Sequence, residues 1–370
     1  MSFAPKRILV VGMTDNPGGI EAMIRSVIAS TDPTVIRFDF LANVEKLAYE
    51  DELKAYGAHI YHITARRVNR ARFYRELDAV LEEHAREYIA IWENMNSLAN
   101  IDYLIHAKRF GIPYRIMHCH NGNNTEGFVR GVLHAANRLR VRKYATHYWS
   151  ASDDASRWFF GDDFRSLPNY RVVNNTIDVN HFAFDQQTRE QVRASFGIQG
   201  SSLVLGNVGR MHPQKKQRFI LDVVSELRKI GRDARALIIG EGKLRDSLET
   251  HASVLGISDF VYMPGAVEDS APYYNAMDVF VFPSEVEGLG IVLLEAEANG
   301  LPAVISDRVP RDAVLNSNVK TLPLEAPALE WASLAQQIAD AGRTSELKVK
   351  GSRFDSSRQQ HLFDEFISEP

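Results

Sequence analysis

The chain has 370 residues, 45% hydrophobic and 24% charged, which exceeds one ordinary α/β core and suits a globular protein of two domains. Its formal net charge of -4 gives no reason to expect nucleic acid as the main partner. Cys119 is the single cysteine, so no intrachain disulfide can form, and a reducing compartment fits.

In chain order, short β-branched runs alternate with amphipathic stretches of helical length. A brief basic lead enters Ile8-Leu9-Val10-Val11, too few apolar residues for a signal-peptide core. No later run approaches the roughly 18 residues that span a bilayer. A cytoplasmic protein is expected, with contact at a membrane surface left open. Strands are predicted over 7–12, 35–41, 59–63, 88–92, 114–119 and 146–150, with helices over 21–29, 44–56, 71–85 and 97–110. After a strand-like 171–173 comes a polar segment, 174–200, with a short predicted helix at 188–196.

The pattern then restarts. Strands are predicted over 203–208, 236–239, 260–263, 279–282 and 303–305, and helices over 217–230, 244–255, 291–298 and 329–341. The stretch 345–367 reads as a further amphipathic helix. Alternating strands and helices predict the α/β class, as two doubly wound Rossmann-like domains with parallel sheets covered on both faces. The expected bounds are 1–180 and 181–344, with 345–370 a terminal helix able to pack back on the first domain. Such sheets bind ligands at the carboxyl ends of their strands, so a cleft between the domains is the expected site.

The strongest motif is PSEVEGLGIVLLEAEANGLP, 283–302. A strand ends at Phe282, a loop carries Glu287-Gly288-Leu289-Gly290, and a helix follows with Glu295 in its second turn. Small residues there let backbone N–H groups at the helix start face a pyrophosphate. Glu295 can hold a ribose diol and Glu287 the hydroxyls of a sugar. The plainer alternative makes Glu295 and Glu297 solvated helix residues and the glycines an ordinary turn.

Next is GNVGRMHPQKKQ, 206–217, where Arg210, Lys215 and Lys216 follow a strand. Fixed cations stabilise a departing nucleoside diphosphate without a metal; a solvated basic loop is the alternative. In MTDNPGGIEAM, Gly18 and Gly19 at a helix start allow close approach of a phosphate or sugar, but the dinucleotide-binding G-x-G-x-x-G spacing is missing. In IMHCHNGNN, 116–124, His118 and His120 share a strand face. A metal pair is conceivable there, yet no acidic cluster supplies further ligands. One cleft histidine and one packed histidine is the expected arrangement. The chain has no D-x-D tripeptide, which weakens a metal-held nucleotide sugar.

These motifs resemble retaining glycosyltransferases of family 4, built on the GT-B fold, over nearly the whole chain. The pair Glu287 and Glu295 looks like the family's two glutamates. The resemblance implies Glu295 at the ribose, Glu287 at the transferred sugar, and backbone groups of Leu289, Gly290 and Ile291 at the phosphates. It carries over Arg210 and Lys215 as the pyrophosphate clamp, and Val267, within PGAVEDSAPYYNAMDVFVFPS, against the base. NNTIDVNHF, 174–182, resembles the interdomain segment, and GGIE the subgroup that assembles bacterial surface polysaccharides, with Gly18 and Gly19 near the donor phosphates. Lys216 departs from that subgroup, which often has asparagine there. His120, followed by Asn121-Gly122, matches the family's active-site histidine better than His118, which stands in reserve.

The implied activity is hexosyl transfer from a nucleotide sugar, UDP preferred over GDP, with no metal and no cofactor. The acceptor is a sugar or lipid-linked saccharide. Two basic clusters, Arg66, Arg67, Arg70, Arg72 and Arg75, then Arg130, Arg138, Arg140, Arg142 and Lys143, suggest peripheral contact with an anionic membrane. The alternative pairs them locally with carboxylates such as Glu76 and Asp78. A nucleotide-sugar epimerase of the same fold and a non-catalytic sugar- or nucleotide-binding protein are the rival functions.

Overall fold

The computed structural model describes residues 4–120, 127–359 and 361–367. The chain forms two compact units. One is built from residues up to Thr176 together with the stretch that begins at Ser356, and the other is Ile177–Asp355. The expected bounds at 180 and 344 therefore differ from the observed division by a few residues at the first and about ten at the second.

In the first unit seven strands form a parallel sheet: β1 (Lys6–Val11), β2 (Ile36–Ala42), β3 (Ile60–His62), β4 (Tyr88–Met95), β5 (Tyr114–Cys119), β6 (His147–Ser150) and β7 (Tyr170–Val172). Their order is β3-β2-β1-β4-β5-β6-β7, so the winding reverses between β1 and β4. The helices are α1 (Gly19–Ser30), α2 (Glu50–Ala55), α3 (Arg70–His84), α4 (Asp102–Arg109), α5 (Phe128–Arg140) and α6 (Asp153–Phe160). Alternation along β1 sends Leu9 and Val11 into a core with α3, α4 and α6, where Phe73, Tyr103 and Phe159 pack. Ile8 and Val10 enter the opposite core with Met23 and Val27 of α1. Both faces of the sheet are thus covered, as a parallel sheet requires.

The second unit repeats the plan. Its strands are β8 (Leu203–Val208), β9 (Ala234–Ile239), β10 (Val261–Gly265), β11 (Val279–Phe282), β12 (Ala303–Ser306) and β13 (Val319–Leu322), in the order β10-β9-β8-β11-β12-β13. Its helices are α7 (Gln186–Ser195), α8 (Gln217–Lys229), α9 (Arg245–Val254), α10 (Ala271–Ala276), α11 (Ile291–Ala298) and α12 (Ala328–Ala341). The winding reverses between β8 and β11. Doubly wound sheets open a crevice at such reversals, which places the loops after β1 and β4, and after β8 and β11, where ligands bind.

Several expected elements differ. The helix predicted over 44–56 is only α2, because Leu47 donates its N–H to the Glu50 carboxylate and Tyr49 turns left-handed at φ 59°. The helix predicted over 97–110 begins only at Asp102, since the Ser97 and Asn100 side chains capture the N–H groups of Ala99 and Asp102. Among the described residues of 345–367 no α-helix forms. Gly351 sits at φ +71°, its N–H goes to the Asp355 carboxylate, and that of Phe354 goes to the Ser352 hydroxyl. Such side-chain bonds compete with the helix. What remains are two single 3₁₀ turns, Ser356–Gln359 and Asp364–Phe366. The tail still packs into the first unit. Phe363 lies 5.2 Å from the Trp92 ring and Phe366 4.8 Å from that of Tyr114. Among the described residues no helix is long and apolar enough to cross a membrane.

Candidate functional site

In the second unit the loops after β8 and β11 are tied together. Glu285 donates its N–H to the Gln214 carbonyl at 2.8 Å, and the Gln214 amide reaches the Val286 carbonyl. Across this junction Lys215 Nζ lies 2.6 Å from Glu287 Oε1 and 5.4 Å from the centre of the Phe282 ring. Arg210 is exposed and makes no ion pair among the described residues. Lys216 turns left-handed at φ 52° to open α8 and lies 3.8 Å from Glu285, so it points away from the Lys215–Glu287 pair toward a second carboxylate.

Gly290 caps α11 at φ +82°, a conformation that disfavours any side chain, and a Cβ there would come within 3.2 Å of Phe282. The first N–H groups of α11 have no partner within the helix and carry its positive end. Ile291 and Leu289 are half-buried beside this turn. One turn on, Glu295 is buried and accepts from the Tyr274 hydroxyl at 2.7 Å. Burial pushes its pKa up to about 7, against the opposing hydrogen bond from Tyr274. Glu297 is also buried, and its Oε1 accepts the N–H groups of Leu315 and Asn316. Neither glutamate is solvated, so the plainer alternative for this helix does not hold. Glu297 anchors the following segment, while Glu295 is held by the Tyr274 hydroxyl with Ser270 beside it. Val267, half-buried in the turn after β10, packs against the same core as Leu289 and Ile291.

In the first unit Gly18 is the extended residue that caps α1, and Gly19 opens the helix. The Glu21 carboxylate reaches back to the Thr14 N–H at 2.9 Å and its hydroxyl at 2.8 Å, closing the loop over β1. At the root of that loop Gly12 has φ +110°, and a Cβ would lie 1.9 Å from the Asn94 carbonyl oxygen. No other residue fits there.

The two histidines are both buried but meet different partners. His118 is wholly buried, with Nε2 3.1 Å from the Val173 carbonyl and its ring stacked on Trp92, and burial holds it well below the usual histidine range. It is packed structure. His120 has Nδ1 2.9 Å from the Asn175 amide and Nε2 3.0 Å from Asn94 Oδ1. Both contacts are to amide oxygens, which accept, so the single N–H of a neutral ring serves one of them at a time, while Asn94 donates its own NH₂ to the Trp92 carbonyl at 3.3 Å. Burial lowers the His120 pKa to about 4, so the ring is neutral. Asn121 and Gly122, which favoured His120, lie outside the described residues.

Asn94, Asn175 and Tyr274 were absent from the residues singled out by motif. Asn175 and Tyr274 lie inside quoted motifs, but nothing in a linear pattern marks which amide or phenol will meet a distant side chain. Gly18, Gly19 and His120 belong to the first unit; Arg210, Lys215, Val267, Glu287, Leu289, Gly290, Ile291 and Glu295 belong to the second. Within the second, the structure joins Lys215 to Glu287 directly, a contact the motifs had kept separate. No three His, Cys, Asp or Glu side chains converge as metal ligands would among the described residues.

Of the basic clusters, Arg72 pairs with Glu76 at 2.6 Å, Arg66 with Asp102 at 3.2 Å and Arg142 with Asp163 at 2.5 Å. Asp78 instead takes Arg109 and His106, from α4. Local pairing thus accounts for part of each cluster only.

Two Rossmann-like units with a glycine-capped, glutamate-bearing helix in the second define the GT-B glycosyltransferase class. Residues 188–350 match the family described as Glycosyl transferases group 1. The relative named "Putative glycosyltransferase EpsF", of Bacillus subtilis (strain 168), is 30% identical over 357 residues, which cover 95% of this chain and 92% of EpsF. The chain belongs to the group 1 glycosyl transferases. A GDP-mannose-dependent alpha-(1-6)-phosphatidylinositol monomannoside mannosyltransferase of Mycolicibacterium smegmatis is 35% identical over 188 residues, 47% of this chain and 48% of the relative. The crystal structure of Anabaena HepE with UDP and glucose superimposes with a TM-score of 0.77 at 18% identity, covering 98% of this chain and 99% of HepE.

Proposed function

We propose that this chain transfers a hexosyl group from a UDP-sugar to a lipid-linked saccharide, with retention of anomeric configuration, in the assembly of a bacterial surface polysaccharide. The observation that carries this reading is the buried Glu295 carboxylate, held by Tyr274 on the helix that follows the Lys215–Glu287 pair. Its carboxylate takes the ribose hydroxyls, and Val267 lies against the base. Arg210, Lys215 and the N–H groups of Leu289, Gly290 and Ile291 take the diphosphate, joined by the α1 start at Gly18 and Gly19. Glu287 and His120, the latter with its two amide partners, orient the sugar.

In the reaction the bond from the anomeric carbon to the diphosphate oxygen breaks, and the diphosphate leaves with the electron pair. The acceptor oxygen attacks on the face the diphosphate leaves, through an oxocarbenium-like transition state, and passes its proton to the departing diphosphate oxygen. Charge builds on the leaving phosphate, where two fixed cations and a helix N-terminus meet it without a metal or cofactor. HepE, with UDP and glucose, supports the uridine donor. The mycobacterial relative, named for a phosphatidylinositol acceptor, supports a lipid-borne acceptor and supplies the rival donor, GDP-mannose. Such an acceptor favours a cytoplasmic protein that touches the anionic face of a membrane through its basic clusters.

The test is a panel of UDP- and GDP-sugars assayed for release of free nucleotide. Release from a UDP-hexose supports the reading. Release from GDP-mannose alone overturns the uridine donor, and release from none overturns the transferase activity.

A further inference from the structure

Away from the donor loops, α3, α4 and α5 of the first unit line an open hollow of about 670 Å³. Residues at helical spacing line it from each side: Arg70, Tyr74 and Asp78 from α3, Asp102, His106 and Arg109 from α4, and Leu133 and Arg140 from α5. The walls are fixed by their own bonds. Tyr74 donates to Asp102 at 2.9 Å, Arg66 pairs with Asp102 at 3.2 Å, and Asp78 takes both Arg109 and His106. Both carboxylates are therefore already engaged. Arg70 and Arg140 make no ion pair among the described residues; Arg70 bonds the Tyr74 hydroxyl, with Asp102 near enough to act on its charge, and Arg140 bonds the Asn137 amide. Four guanidinium groups thus face two carboxylates, and the surplus is positive.

The rim of this cavity is apolar on one side. On α5, Phe128 is 87% exposed, Val129 71%, Val132 53% and Leu133 40%. Leu133 both lines the cavity and stands in this ridge, so the basic hollow and the apolar surface are continuous. A soluble anion has no use for such a ridge, and contiguous exposed apolar surface marks a membrane or partner contact. An amphiphile with an anionic head uses both. We infer that the cavity between α3, α4 and α5 holds the phosphate headgroup of an anionic membrane lipid, with the α5 ridge resting in the bilayer beside it. Arg70 and Arg140 are the groups free to make forked contacts to phosphate oxygens, a geometry lysine does not supply. The inference rests on the membrane-borne acceptor proposed above, and gives the membrane contact a defined site in place of diffuse attraction.

The experiment is co-sedimentation of the full chain with phosphatidylcholine vesicles, with or without phosphatidylglycerol. Binding is expected to require phosphatidylglycerol. The double variant Arg70→Lys/Arg140→Lys keeps the charge and is expected to lose at least about fivefold in partitioning. Arg75→Gln/Arg86→Gln, which removes two exposed charges outside the cavity, is expected to lose less than that. Phe128→Ser/Val132→Ser is expected to weaken binding without changing its lipid requirement. A lysine variant that partitions like the parent, with thermal melts showing both folded, leaves only diffuse attraction and overturns the site. Equal sedimentation with neutral vesicles overturns it as well. Calorimetric titration with glycerol phosphate that binds as tightly as vesicles overturns the lipid as source. Nucleotide release from UDP-sugars, run in parallel on the same samples, separates this outcome from failure of the transferase reading: vesicle binding can be lost while release persists, and the reverse.

Discussion

Around His120, at the carboxyl ends of β4 and β5, the first unit gathers a neutral imidazole and two amides, Asn94 and Asn175. Around α11, the second unit gathers an ammonium and two carboxyl groups on Lys215, Glu287 and Glu295, with the exposed Arg210 in the same loop as Lys215. The folds are alike and the strand reversals sit at matching places, yet one crevice is furnished with dipoles and the other with charges. Dipoles suit hydroxyl-rich, uncharged partners, for which a buried charge would be costly. Fixed charges suit phosphate and the ribose beside it. The same backbone plan therefore serves two chemistries by the residues set in its loops.

Breaking the charged side should have the largest effect. Lys215→Ala removes one of the two cations proposed to meet the leaving group, and its turnover number is expected to drop about 10²- to 10³-fold in a nucleotide-release assay. It also leaves Glu287 without its partner, so Glu287→Ala should likewise lower turnover more than nucleotide affinity. Parent-like turnover in both variants would remove the phosphate clamp from this loop. Glu295→Ala comes next. A hydrogen bond to a charged group contributes about 1.5–3 kcal/mol, so UDP affinity by calorimetry should weaken about 10- to 150-fold. Unchanged affinity would take the ribose away from Glu295.

The pH dependence sharpens the contrast between the two crevices. Glu295 has its pKa raised to about 7 by burial, so it is protonated at pH 6 and ionised at pH 8. The ionised form is the better acceptor of ribose hydroxyls, so UDP affinity should rise with pH, by roughly tenfold at most over that interval. Because UDP itself titrates nearby, the comparison is with Glu295→Gln, which should lack that share of the rise. His120 is lowered to about 4, so it stays neutral throughout and adds no inflection of its own. Equal pH profiles for parent and Glu295→Gln would refute the assignment.

Smaller still is the neutral side. Asn175→Ala removes one uncharged hydrogen bond to His120, and turnover should fall about 2- to 13-fold with UDP affinity unchanged. A loss of UDP affinity instead would place this amide with the nucleotide. The smallest expected effect is that of EDTA, which should change UDP affinity by less than about tenfold, or roughly 1.4 kcal/mol. A larger loss would mean that a metal does what Arg210 and Lys215 are assigned to do.

Much of this molecule could be read from linear pattern, and the exceptions share a cause. The α11 helix, Ile291–Ala298, was legible to the residue because Gly290 and the buried Leu293 and Leu294 mark its start and its core face. Strand β13 was not, since Val319-Lys320-Thr321-Leu322 is an edge strand with its middle pair exposed and so lacks an apolar run. The α5 helix escaped because Phe128, Val129 and Val132 face solvent, against the rule by which apolar positions locate a core. At the site, Lys215, Glu287 and Glu295 stood out as charges in glycine-bearing loops. Tyr274 and Asn94 act on residues 21 and 26 positions away, and only the fold brings them there.

The tail that packs Phe363 and Phe366 under Trp92 and Trp149 bears on how the protein is made. Residues after Ser356 complete the core behind β4 and β6, so the sheet formed by the first half of the chain stays open on that side while the whole second unit is translated. At about 5–20 residues per second, the ribosome leaves Trp92 and Trp149 without these partners for roughly 10–40 s. In that window the second unit can finish folding before the first is closed, so the order of assembly runs against the order of synthesis. A nascent chain released before Phe363 should therefore behave as a folded carboxyl-side unit joined to a sticky, protease-sensitive amino-side one.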